Sequence, residues 1–182
     1  MKNLEKDVES ILLSKEQIAQ RVKEMADAMS EYYQGKEVVM VCILKGSITF
    51  FADLARELSI PLVYDFMCVS SYGSGTISGG SVRILKDLTV DITDKHVLIV
   101  EDILDTGNTL SALLEQLEAR RPASLKLCCL LDKPDRRLKP IRADFTGFSI
   151  PDEFVIGYGL DYNEKYRQLP YVGILKRSVY EG

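Results

Sequence analysis

The residues best suited to chemistry in this chain lie in one stretch that follows an apolar run. Val97–Val100 precedes Glu101 and Asp102, and after two more residues comes a turn of sequence Asp-Thr-Gly-Asn-Thr, Asp105–Thr109. Gly107 allows this turn to curl tightly. The amides of the turn, at the start of a predicted helix, then form a nest for a phosphate, and its two threonine hydroxyls add donors.

The two acids indicate more than a phosphate site. Glu101 and Asp102 would lie beside the anion rather than in its nest, where carboxylates suit the hydroxyls of a sugar or a magnesium ion that neutralises a diphosphate. Neither a GxxxxGK[ST] nor a GxGxxG pattern occurs in the chain, which excludes the common nucleotide loops. The stretch therefore predicts a site for a phosphorylated sugar.

Helical and strand patterns alternate along the chain and would position this stretch. Apolar residues at helical spacing predict a helix over 14–33, and Ser14 with Gln17 resembles a capping box. The apolar run 38–44 is typical of a strand buried on both faces of a parallel sheet. Further strands are predicted at 62–69, 82–85, 96–100, 125–131, 145–150, 154–158 and 171–175, and further helices at 47–58 and from about 110 to 120.

This order predicts one α/β domain, 1–182, with a parallel sheet and helices on both faces. Ligands of open parallel sheets bind beyond the carboxyl ends of the strands. Four segments follow strands in this way: Lys45-Gly46-Ser47, the Gly- and Ser-rich segment 70–81, Leu131-Asp132-Lys133-Pro134, and the stretch 151–164. The segment 70–81 is predicted to be a long mobile loop.

Composition narrows the class of protein. The chain of 182 residues has 46% apolar and 27% charged residues, as in a globular protein without a membrane span. Met1–Leu13 lacks the features of a secretory signal, so we expect a cytoplasmic protein with its four cysteines buried and reduced. The net charge of −4 argues against nucleic acid as a partner, and we interpret the basic stretch 120–142 as a solvated face.

Taken together, these segments resemble the type I phosphoribosyltransferases of the hypoxanthine/guanine kind. The stretch from Val97 to Leu110 resembles the family's signature for phosphoribosyl pyrophosphate, and the resemblance spans nearly the whole chain. It implies a central, mainly parallel sheet flanked by helices, a small hood formed by terminal segments, and a mobile lid loop. It also implies a homodimer or homotetramer.

The resemblance assigns a role to each candidate residue. Asp105, Thr106, Gly107, Asn108 and Thr109 would bind the 5′-phosphate, Glu101 and Asp102 the ribose and Mg²⁺, Lys45, Gly46 and Arg167 the pyrophosphate, and Ser71 with Tyr72 would form the lid. Lys133 would bind the purine 6-oxo group, Phe154 would stack on the base, Val155 would contact its edge, and Asp161 would support a second magnesium. Asp105 would also be the general base. Asn108 departs from the pattern, because some members carry a lysine there.

The implied activity is purine salvage, the transfer of a phosphoribosyl group to N9 of hypoxanthine, and of guanine, with release of pyrophosphate. Two alternatives stay open. The chain could be an enzyme for another base, such as adenine or xanthine. It could instead be a regulator that keeps the fold but binds messenger RNA, as pyrimidine attenuation proteins do, although its acidic charge disfavours that reading.

Overall fold

The computed structural model describes residues 4–71 and 82–181. The helices of this part of the chain are α1 (Lys15–Tyr32), α2 (Ile48–Glu57), α3 (Asn108–Glu118) and α4 (Arg177–Tyr180). Its strands are β1 (Val8–Leu13), β2 (Val38–Leu44), β3 (Leu62–Ser71), β4 (Val82–Lys86), β5 (His96–Leu104), β6 (Ser124–Asp132), β7 (Phe145–Ser149), β8 (Val155–Ile156) and β9 (Val172–Leu175).

Six strands form the main sheet in the order β4-β3-β2-β5-β6-β7, which is parallel except for the edge strand β4. Successive residues of β2 face opposite sides. Met40 packs into one apolar cluster with α1 and α2, whereas Val41 packs into another with α3. The predicted α/β sheet with helices on both faces is confirmed, and the carboxyl ends of β2, β5 and β6 meet at one edge.

The predicted capping box at the start of α1 is present. The Gln17 amide donates to Ser14 Oγ over 3.2 Å, and the Ser14 amide donates to Gln17 Oε1 over 2.8 Å. These two bonds satisfy donors that have no helical partner, which explains why the helix begins at Lys15.

A second sheet, β1-β9-β8, is antiparallel and corresponds to the predicted hood of terminal segments. Its first strand was not predicted, because Val8–Leu13 is mostly exposed and its apolar run is only three residues long. The predicted strand at 154–158 shrinks to Val155–Ile156. The ladder ends there because Gly157 has a φ of +93° and turns the chain away.

Strand β5 continues four residues beyond its predicted end. Glu101 pairs with Cys129 and Leu104 with Asp132 in register, so the two acids lie inside the strand and not after it. All four cysteines are free. Cys42, Cys128 and Cys129 are buried as expected, whereas Cys68 is only half-buried. Within residues 4–71 and 82–181, no helix has both the length and the apolar character needed to cross a bilayer.

Tyr33 offers a test of the core, because its side chain is fully buried and its hydroxyl has no hydrogen-bond partner among the described residues. We expect Tyr33→Phe to raise the free energy of unfolding by about 1 kcal/mol, which corresponds to a rise of about 2–4 °C in Tm. Scanning calorimetry measures both. Tyr166→Phe is the matched control and should destabilise, since the Tyr166 hydroxyl donates to Asp7 Oδ2 over 2.8 Å. Equal losses in both variants would contradict the prediction.

Candidate active site

Two adjoining cavities open at the carboxyl edge of the main sheet. The loop cavity, of about 380 Å³, is lined by Lys45, Gly46, Glu101, Asp102, Asp105, Thr106, Gly107, Thr109, Asp161 and Arg167, among others. The aromatic cavity, of about 360 Å³, is lined by Lys133, Arg136, Asp152, Glu153, Phe154, Val155, Asp161 and Tyr180, among others. Ile103, Asp105 and Asp161 line both. Most of the predicted site residues are therefore brought together.

The turn after β5 carries the backbone donors of the loop cavity. Gly107 is the N-cap of α3 with a φ of +81°, and a Cβ atom there would lie 2.5 Å from Ile141 Cγ2. Both observations require glycine. The first amides of α3 lack helical partners and can bind an anion. Asn108 is exposed and does not line the cavity, so its side chain is set apart from the predicted site.

Glu101 and Asp102 lie on the floor of the loop cavity. Asp102 Oδ1 accepts from the Ile103 amide over 2.8 Å. Each side chain is partly open to the cavity, but protein atoms pack closely around the rest of it. Burial raises the pKa of Glu101 well above its ordinary value, and the charge of Asp102 raises it further. Burial also raises the pKa of Asp102, although the Ile103 amide and the charge of Arg167 oppose the rise. A cation close to Glu101 and Asp102 would stabilise their negatively charged forms.

Backbone contacts bring the second sheet against the loop after β2. The Leu44–Lys45 peptide bond is cis. A Cβ atom on Gly46 would lie 1.7 Å from Asp102 Oδ2, and one on Gly159 would lie 2.0 Å from the Gly46 carbonyl oxygen. Two glycines thus allow the loop to approach both the acids of β5 and the turn that follows β8.

The cations of the loop cavity are paired with acids of the segment between β8 and β9. Lys45 Nζ lies 3.2 Å from Glu164 Oε2, and Arg167 Nη2 lies 2.8 Å from Asp161 Oδ1 and 3.3 Å from Glu164 Oε2. Hydrogen bonds from Lys45 and then Arg167 lower the pKa of Glu164. Arg167 also donates to the Gly159 carbonyl over 2.8 Å. Sequence reasoning missed Glu164, since nothing in the sequence pairs it with Lys45.

Asp105 lies at the junction of the two cavities. Arg136 Nε is 2.9 Å from Asp105 Oδ1, but at an angle that leaves this buried oxygen without a hydrogen bond from the described residues. Arg137 donates to the Asp105 carbonyl over 2.6 Å and pairs with Asp132. Interpreting the basic stretch as a solvated face was therefore wrong for Arg137, whose side chain is largely buried, whereas Arg136 is exposed. The Leu138 amide also donates to the Thr106 carbonyl, over 2.9 Å.

The aromatic cavity combines one buried cation with apolar walls. Lys133 is 7% exposed, and its ammonium donates to the Glu153 carbonyl over 2.5 Å. Phe154 is 38% exposed, and Val155 beside it is buried. A buried ammonium beside an exposed ring is suited to a flat polar ligand. For the lid, the Ser71 backbone belongs to β3 but its side chain is not described, and Tyr72 lies outside the described residues.

Comparison with known proteins agrees with this geometry. A family model described as "Phosphoribosyl transferase domain" matches residues 9–163. The curated hypoxanthine-guanine phosphoribosyltransferase of Staphylococcus epidermidis is 52% identical to this chain, over 97% of this chain and 99% of the relative. That of Bacillus subtilis is 48% identical, over 96% of this chain and 97% of the relative.

Solved structures agree as well. A crystal structure described as a hypoxanthine phosphoribosyltransferase from Staphylococcus aureus superimposes with a TM-score of 0.96 at 49% identity, covering 99% of this chain and 98% of that one. The acids and phosphate turn after β5, the matched family model and this overall likeness agree. The chain belongs to the phosphoribosyl transferase family, among its hypoxanthine-guanine members.

Proposed function

We propose that this protein transfers the 5-phosphoribosyl group of phosphoribosyl pyrophosphate to N9 of hypoxanthine, and of guanine, giving IMP or GMP and pyrophosphate. The observation that carries the proposal is the shared wall of the two cavities. One cavity has the donors and acids for a phosphorylated sugar, the other has the ammonium and ring for a purine, and Asp105 lies where the two ligands would meet. The curated relatives carry the name of this activity.

In the loop cavity, the amides of the turn and its threonine hydroxyls would hold the 5′-phosphate. Glu101 and Asp102 would accept hydrogen bonds from the ribose hydroxyls. Lys45 and Arg167 would exchange their acidic partners for the pyrophosphate, and the Gly46 backbone would add to this contact. Preorganised positive charge at the leaving group is the principal means of stabilising such a transition state.

Mg²⁺ fits the carboxylates of this cavity. Within the described residues, no group of three or more metal-binding side chains occurs, but Mg²⁺ is usually held by one or two carboxylates together with substrate phosphates. Glu101 and Asp102 offer such a pair. Burial raises the pKa of both carboxyls, and a cation beside them would favour their charged form. The ion would supply positive charge to the pyrophosphate. Asp161 is a weaker candidate for a second ion, because Arg167 already pairs with it.

Asp105 would act as the general base that accepts a proton from the purine. As N9 attacks, the bond from N9 to the anomeric carbon forms, the bond from that carbon to the pyrophosphate oxygen breaks, and the N7 proton passes to the Asp105 carboxylate. The position of Asp105 in the wall of both cavities suits this role. The exocyclic 6-oxo group would accept from Lys133, while Phe154 stacks on the base and Val155 contacts its edge.

An assay of nucleotide formation tests the proposal. Purified protein with phosphoribosyl pyrophosphate and Mg²⁺ is supplied in turn with hypoxanthine, guanine, xanthine and adenine, and pyrophosphate release is followed. We expect turnover with the 6-oxo purines, hypoxanthine and guanine above all. No nucleotide from any purine, together with a shift of RNA in a gel, would instead support the regulator that binds messenger RNA.

Lys133→Ala tests how the base is selected. A buried ammonium binds a 6-oxo group and repels an amino group, so we expect kcat/KM for hypoxanthine to fall about 10- to 100-fold while that for adenine does not. The ratio of the two values is the measurement. Lys139→Ala, an exposed lysine of the same segment, is the control and should change neither. An unchanged ratio in Lys133→Ala would move purine recognition to another residue.

The proposal also covers the domain organisation, the oligomeric state and the location of the protein. We expect the chain to act as one domain over 1–182, since the main sheet and the segment between β8 and β9 both contribute walls to the loop cavity. We also expect a homodimer or homotetramer in the cytoplasm. Light scattering of the purified protein measures the assembly directly, and a monomer at micromolar concentration would contradict that part.

A further inference from the structure

The aromatic ring proposed to stack on the purine is itself covered by a second ring. Phe154 and Tyr180 are stacked with their centroids 5.0 Å apart and their planes at 25°. Tyr180 is the last residue of α4 and lines the aromatic cavity together with Phe154. Neither the sequence patterns nor the resemblance singles out Tyr180, which lies beyond the segment 151–164.

Tyr180 is anchored to the second sheet rather than being a loose tail residue. The Lys176 amide, just before α4, donates to the Asp7 carbonyl over 3.0 Å, and the Lys176 ammonium donates to the Lys6 carbonyl over 2.6 Å. Tyr180 itself packs against the small cluster formed by Ile156, Tyr166, Leu169 and Leu175. The ring is therefore held at a fixed place beside Phe154.

The backbone of Phe154 is held by the same sheet, since its carbonyl accepts from the Leu175 amide over 2.8 Å. Its ring, however, is 38% exposed, and Tyr162 meets it at 89° with the centroids 5.5 Å apart. That exposure would not remain if neighbouring rings covered both faces. Tyr180 is stacked on the ring, Tyr162 lies perpendicular to it, and the part of Phe154 that stays exposed lines the aromatic cavity.

We propose that Tyr180 is a positioning residue for the purine, backing Phe154 so that base, Phe154 and Tyr180 form a three-layer stack. This inference rests on the proposed function. Without Tyr180 the half-exposed Phe154 ring would rotate among several orientations, and the base would have to fix that ring as it binds. A ring that is already fixed removes this entropic cost from the binding of the base.

The variant Tyr180→Ala tests this proposal. An offset stack contributes about 0.5–1.5 kcal/mol beyond its buried area, which corresponds to about a 2- to 12-fold change. We expect KM for hypoxanthine to rise by that factor, KM for phosphoribosyl pyrophosphate to stay within about twofold, and Tyr180→Phe to behave as the wild type. Ser178→Ala, an exposed position of the same helix, is the control for disturbing α4. If Tyr180→Ala does not fold, Tyr180→Leu keeps the apolar volume without the aromatic plane.

A double-mutant cycle shows whether Tyr180 acts through Phe154. In a Phe154→Ala background, Tyr180→Ala should have no further effect on KM for hypoxanthine. An unchanged KM in the single variant, a lowered KM, or an equal loss in Tyr180→Phe would each overturn the proposal, the second by showing that Tyr180 competes with the base. Wild-type turnover of hypoxanthine separates the two questions, since its absence would count against the proposed function alone.

Discussion

Asp105→Asn is expected to lower kcat by about 10²- to 10⁴-fold while leaving the Kd for phosphoribosyl pyrophosphate almost unchanged. Asparagine keeps the shape of the side chain, an oxygen that faces Arg136, and the carbonyl that accepts from Arg137. The turn should therefore keep its conformation. Only the ability to accept the N7 proton is removed.

Two measurements check this expectation. Titration calorimetry with Mg²⁺ present gives the Kd, and single-turnover kinetics gives the rate of the chemical step. Asp135→Asn is the control, because Asp135 is an exposed acid next to Arg136 in sequence and lines neither cavity, so its kcat should stay unchanged. Equal losses of binding and turnover in Asp105→Asn would show that the carboxylate shapes the turn instead.

Gly46→Ala is expected to lower kcat/KM for phosphoribosyl pyrophosphate by about 100-fold, through Asp102 rather than through the loop itself. The added methyl group would lie 1.7 Å from Asp102 Oδ2, so the carboxylate has to move. Misplacing a substrate-binding group by about 1 Å can reduce the rate by this factor. Steady-state kinetics at saturating hypoxanthine provides the value.

The double variant with Asp102→Ala identifies the route of the effect. If the methyl group acts by displacing the carboxylate, then Gly46→Ala should add little once that carboxylate is gone. Gly35→Ala is the control for replacing a glycine, since no atom lies within 4 Å of a Cβ at that position, and its activity should be retained despite a φ of +74°. Fully additive losses in the double variant would refute the displacement and indicate a change in the loop backbone.

The sequence predicts the main sheet well, because burial on both faces leaves continuous apolar runs such as 38–44. Prediction from sequence fails for an exposed strand, and it fails where hydrogen bonding to a neighbouring strand extends a strand into polar residues. The apolar run of strand β1 is only three residues long, and β5 continues past Glu101 and Asp102 because β6 supplies partners for Glu101, Ile103 and Leu104. Charged residues inside a strand are accepted when they open onto a cavity, as these two do.

Some residues of the candidate site could likewise be predicted from the sequence and others could not. Residues in one continuous stretch, such as the turn after β5, could be found from their spacing, and all of that turn except Asn108 lines one cavity. Arg136, Glu164 and Tyr180 could not, because each acquires its partner only through folding. Arg136 belongs to a stretch that resembles an ordinary basic surface, and Tyr180 meets Phe154 only because β8 and β9 pair.

The wall common to the two cavities has a thermodynamic consequence. Ile103, Asp105 and Asp161 face both spaces, so an occupant of one space that shifts any of them alters the surface offered to the other occupant. Free energy around a closed cycle must sum to zero, which makes the influence mutual and equal in size. If bound sugar phosphate changes the affinity for the base by some factor, then bound base changes the affinity for the sugar phosphate by the same factor.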